Sequence, residues 1–97
     1  MKEERNQVII GSAIYEIEFI DSKELSQDNT LYYGMCNHAE FKIKVDNTLP
    51  DAMKRATLLH EIIHAMESQY SLKLTETTVN VIAHELQRIL PKLKNLL

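Results

Sequence analysis

The sequence predicts an α+β fold, with a small antiparallel sheet of three or four strands followed by two helices in a single domain over residues 1–97. Three observations carry this prediction. The first half alternates apolar and polar residues with a period of two, as half-buried strands do. The second half repeats apolar residues every three or four positions, the spacing of amphipathic helices. The helix-start signals Pro50-Asp51 and Thr75-Glu76 fall at the head of the two helical stretches.

The first strands lie in residues 8–20. Val8 to Ile10 form a short apolar run before Gly11-Ser12, a tight-turn dipeptide, so a hairpin is expected. In AIYEIEFID, Tyr15, Ile17 and Phe19 alternate with Ile14, Glu16, Glu18 and Ile20. The polar stretch DSKELSQDNT then connects to two further strands, LYYGM and AEFKIKVD, joined around Cys36, Asn37 and His38. Phe41, Ile43 and Val45 share one side of the last strand. Lys42 and Lys44 share the other, and lysines of this kind commonly blunt a sheet edge.

The first helix is expected from about Pro50 to Tyr70. Asn47 or Thr48 is placed to cap it, proline is tolerated in a first turn, and Asp51 suits the positive helix start. Ala52, Ala56, Leu59, Ile63, Met66 and Tyr70 form one stripe. Leu58, Ile62 and Ala65 lie on a different side, so the helix should be contacted on two faces. A second helix begins near Thr75, with Val79, Ile82, Ala83, Leu86 and Leu90 as its stripe, and should end or kink before Pro91. The tail PKLKNLL reads as a short extra helical turn or an apolar flap over a groove.

Composition narrows the function. The chain has 44% apolar and 26% charged residues, enough for a core and too hydrophobic for a disordered segment. Its net charge is -3 and its eleven Lys and Arg residues are dispersed, so no direct nucleic-acid contact is expected. No stretch approaches a membrane span and MKEERNQ lacks a signal-peptide core, so a cytoplasmic protein without membrane contact is expected. Cys36 is the single cysteine; it excludes an intrachain disulfide and, even with His38 nearby, makes a poor nucleus for a structural zinc cluster.

The chemistry concentrates in LLHEIIHAMESQ, residues 58–69. At about 100° per residue His60 and His64 lie within roughly 40° of each other, one turn apart, so both imidazoles can converge on one ion. Glu61 lies near that side without having to be a ligand, where a general base belongs. Neutral imidazoles suit zinc, and a catalytic site of this kind has three protein ligands and an open position for water. The pentapeptide arises by chance in roughly one or two of every hundred such chains, so the third ligand decides. Glu67 shares the helix face one turn on, and His84 lies two turns into the second helix. Glu76 is the better candidate: it stands in the first turn of the second helix and borders the face turned to the first. Asn80, one turn later, is placed to hydrogen-bond the outer nitrogen of a ligating histidine.

TLLHEIIHAM followed by ETTVNVIAHELQRIL resembles the small gluzincin-type metallopeptidases of the ImmA/IrrE group, including short phage-like members. GSAIYEIEF, YYG and FKIKVDNTL resemble the sheet that precedes the active-site helix there. The resemblance implies a minimal zincin-like fold, zinc on His60, His64 and Glu76, and Glu61 as general base. It also implies a protein or peptide substrate that pairs with an edge strand near Phe41 to Val45. Ile63 departs from the glycine that many relatives place before the second histidine, and their extra domains do not fit in 97 residues. Tyr32, Tyr33, Tyr70 and His84 are all candidates for stabilising an oxyanion. The expected function is a zinc-dependent endopeptidase; the alternatives are a zinc-bearing protein-binding regulator with little or no hydrolysis, and a metal-free helical interaction protein.

Overall fold

The structure is a computed structural model that describes residues 6–25 and 33–97. Tyr32 and residues 26–30 of the polar connection lie outside the described residues. Four strands, β1 (Gln7–Ile10), β2 (Ala13–Ile20), β3 (Gly34–Asn37) and β4 (Lys42–Asp46), precede two helices, α1 (Asp51–Tyr70) and α2 (Glu76–Leu96). The fold is α+β, as the two periodicities predict.

The β1–β2 hairpin turns through Gly11 and Ser12, with Ile10 opposite Ala13. Gly11 has φ +62°, and a Cβ there would stand 2.8 Å from the Cβ of Gln69. Only glycine fits both demands. The Gln69 side chain caps the turn by accepting from the Ser12 amide at 3.2 Å.

The strand order is β1-β2-β4-β3, with β2 and β4 parallel and the other two pairings antiparallel. The sheet is therefore mixed rather than wholly antiparallel. The chain after β2 travels to the far side of the sheet, forms β3, and returns as β4 into the gap between β2 and β3. This corrects the expectation that Phe41 to Val45 is an open edge: β4 is paired on both sides, and the edges are β1 and β3. Lys42 and Lys44 lie opposite Glu16 and Glu18 in register, so they meet cross-strand charges of opposite sign instead of guarding an edge.

One face of the sheet is the core. Tyr15, Ile17, Ile43 and Val45 are buried there with Ala65 of α1, and Leu58 and Ile62 pack against them. The opposite face of α1 meets α2 through Ile63, Leu59, Val79 and Ala83. So α1 is sandwiched between sheet and second helix, as its two apolar sides require.

Neither Asn47 nor Thr48 caps α1. Pro50 occupies the cap position, its carbonyl accepts from the Lys54 amide at 2.8 Å, and Thr48 instead turns both its amide and its hydroxyl to Asp46. Thr75 does cap α2, its hydroxyl accepting from the Thr78 amide at 3.0 Å. The second helix does not stop at Pro91 but runs to Leu96. Proline removes one N–H and is costly deep inside a helix, but less than two turns lie beyond it here, and the ladder resumes with Leu97 N–H donating to Leu93 O at 3.0 Å. No helix among the described residues is long and apolar enough to cross a membrane.

Candidate metal centre

The register of α1 sets His60 and His64 one turn apart on the side turned to α2, with side chains 20% and 24% exposed. Their Nε2 atoms lie 3.0 Å apart. Glu76, the first residue of α2, brings Oε1 to 3.3 Å from His60 Nε2 and Oε2 to 3.0 Å from His64 Nε2. A tetrahedral ion with bonds of about 2.0 to 2.1 Å sets neighbouring ligand atoms about 3.3 Å apart. Two imidazole nitrogens and a carboxylate at these spacings fit one divalent cation, and they form the one such group among the described residues.

Two features of the chain bring Glu76 there. The Ile63, Val79 and Ala83 contact fixes how α2 lies on α1. The turn between the helices is tied back by Glu67, whose Oε2 accepts from the Leu74 amide at 2.7 Å. The other Glu67 oxygen lies 2.7 Å from His64 Nδ1. A carboxylate only accepts, so this contact favours the proton on Nδ1, the tautomer in which Nε2 can bind an ion. The Leu74 amide, followed by His64, holds the Glu67 carboxyl below the usual carboxylate range. Glu67 is thus outside the metal-competent group and instead fixes the orientation of the His64 ring. Its position three residues after His64, on the same helix face, is the sequence signal for this role. Asn80, expected there, makes no hydrogen bond to either histidine among the described residues and instead lines the cleft beside His60.

Glu61, next to His60 on α1, reaches the seam with β3, where its Cγ approaches Gly34, and is 8% exposed. Burial pushes its carboxyl up to about 7; the His64 ring opposes this and the Glu76 carboxylate adds to it. A carboxyl poised near neutrality can both take and return a proton. Gly34 makes room for it, since a Cβ at that position would lie 2.7 Å from Thr57 Cγ2 and 3.3 Å from Glu61 Cγ.

A cleft of about 340 Å³ opens beside these groups. Thr57, His60 and Glu61 of α1 line it together with Tyr33 and Gly34 at the start of β3 and Asn80 and His84 of α2. Of the four residues considered for the oxyanion, Tyr33 and His84 therefore border the cleft; Tyr70 does not, and Tyr32 is outside the described residues. His84 does not belong to the metal-competent group. Cys36 and His38 touch each other, Sγ to Nδ1 at 3.5 Å, and do not belong to it either. Burial, with Glu61 adding to it, pushes the Cys36 thiol up to about 12. Comparison with protein-family models, curated proteins and solved structures returned no match.

Proposed function

We propose that this protein is a zinc-dependent endopeptidase in which His60, His64 and Glu76 hold the ion and Glu61 is the general base. The observation that carries the reading is the convergence of three ligand atoms within 4.8 Å from two separate helices, with a buried carboxyl at their side. Neither half of that arrangement follows from the HEIIH pentapeptide alone. The resemblance to the ImmA/IrrE group agrees with it.

When bound, zinc supplies a Lewis acid that polarises a peptide carbonyl and acidifies water. The residues of the chain do the rest. Glu61 takes the proton from the attacking water and passes it to the departing amine. Glu67 keeps the His64 ring in one tautomer. The strand that can accept an extended peptide is β3, the sheet edge that borders the cleft through Gly34. Main-chain pairing along β3 would lay a substrate across Glu61, with a side chain dropping into the cleft. His84 and Tyr33 are the donors within reach of a developing negative charge.

Elemental analysis of the purified chain, with mass spectrometry of its products from a proteome-derived peptide library, tests the proposal. The expected result is one zinc per chain and cleavage that a chelator abolishes. Glu61→Gln should retain the zinc while losing at least about a hundredfold in rate. Cleavage that persists in Glu61→Gln refutes the mechanism. Bound zinc with no cleavage of any peptide leaves the zinc-bearing binding regulator as the reading.

A further inference from the structure

The C-terminal half of α2 carries an apolar strip that the fold covers only in part, with Leu86 half-buried and its neighbours along the strip more exposed. Ile82, Leu86, Ile89, Leu93 and Leu96 recur at intervals of four, three, four and three, the spacing of a two-helix seam. This stripe is rotated away from the contact with α1, which uses Val79 and Ala83. Ile82 is 36% exposed, Ile89 42%, Leu93 36% and Leu96 77%, in a run along one side of the helix. Isolated aliphatic residues in water need no explanation, but a contiguous strip of them marks an interaction surface. The start of α1 leaves an open groove beside it, where Ala52 and Arg55 face Ile89, Leu93 and Leu96.

We infer that this strip is the interface of a homodimer in which α2 packs antiparallel against α2 of a second copy. The charges flanking the seam select that partner and that direction. In a seam with Leu86 opposite Ile89 of the second copy, Ile82 falls opposite its Leu93, and two-fold symmetry repeats both pairs. The flanking position before Leu86 is Glu85, and the position that faces it across the antiparallel seam is Lys92. Symmetry then makes two Glu85–Lys92 pairs of opposite sign, one on each side of the axis. A parallel pairing would bring the flank of Glu85 against Leu90 and gain no such pair. Among the described residues Glu85 pairs with Arg88 alone, at 3.0 Å, in a contact more than half exposed on both sides and therefore easily exchanged. Pro91 lies on the side of α2 opposite the strip, so its ring does not enter the seam. The interface is isologous and closes at two copies, leaving the cleft beside His60 on the other flank of α2. It does not depend on the metal reading.

Sedimentation equilibrium of the full chain over a wide concentration range tests the inference. The wild type should show twice the chain mass. Ile89→Glu should weaken association by roughly a hundredfold, with helix content and metal content unchanged. Glu85→Lys should weaken it by about tenfold, and adding Lys92→Glu to that variant should restore it. A single-chain mass at every concentration overturns the inference and leaves the strip to a different protein. Association indifferent to Ile89→Glu, or a Glu85→Lys/Lys92→Glu chain that stays monomeric, overturns it as well.

Discussion

Glu67 serves two neighbours with its two carboxylate oxygens, His64 on one and the Leu74 amide on the other. The first contact sets which ring nitrogen faces the centre, and the second holds the turn from which Glu76 follows. Replacing it with alanine should lower zinc affinity by about ten- to a hundredfold in competition with a chromophoric chelator. Glu67→Gln keeps an acceptor and should lose much less. Equal affinities for both variants and the wild type would remove Glu67 from the site. Cys36 offers a second check at this scale. With its thiol pushed up to about 12, almost none of it is thiolate near pH 8. Alkylation of the folded chain should run at least about a hundredfold slower than that of free cysteine, and should speed up once the chain is unfolded in urea. Rapid labelling of the native protein would show that the strand edge beside Glu61 is less buried than described.

Element boundaries depend on backbone conformations as much as on apolar spacing. Helix α1 ends at Ser71 with φ +55°, a left-handed conformation that turns the Leu72 N–H back to Glu67 O at 3.0 Å but that a residue with a Cβ adopts at a cost. Ser71→Gly should therefore raise stability by about 0.5 to 1 kcal/mol in urea denaturation. Gly11→Ala, at φ +62° against Gln69, should lower it by about 1 kcal/mol or more. A loss for Ser71→Gly would mean that the serine is held by something other than its dihedral angle. The strands and helices themselves were legible in the sequence, because alternation at Tyr15 and Ile17 and the 3–4 spacing through Ile63 reflect burial directly. The pairing of strands was not. A period of two looks the same in parallel and antiparallel partners, so β4 read as an edge when it is interior. The complementary Glu16, Glu18 and Lys42, Lys44 pairs were the one local hint of its true neighbour. Pro91 marked an end that does not occur: its missing N–H costs one bond to the preceding turn, and α2 continues past it to Leu96.

At the scale of the whole molecule, two histidines and Glu61 could be placed from helix geometry alone, and Glu76 from its position at the start of α2. What the sequence hid was the tertiary part: the burial of Glu61 under β3 and the identity of the edge beside the cleft. Each depends on how α1 sits between the sheet and α2, which spacing within one segment does not encode. The same arrangement makes the two sides of α1 unequal. Its contact with the sheet includes Tyr15, Ile43 and Val45, all fully buried, while α2 is held by the small cluster of Ile63, Val79 and Ala83. An ion shared by α1 and α2 would therefore stabilise chiefly the docking of α2, because free energy released on binding the native state adds to its stability. Removing zinc with a chelator should lower Tm, and it should raise amide hydrogen exchange in residues 76–90 while leaving residues 13–17 and 43–45 almost unchanged. In Glu76→Gln the chelator should have a much smaller effect, since one of the three side chains no longer offers a carboxylate. If instead Tm and the exchange pattern are identical with and without zinc, the two helices are joined by packing alone and the ion contributes nothing to the fold.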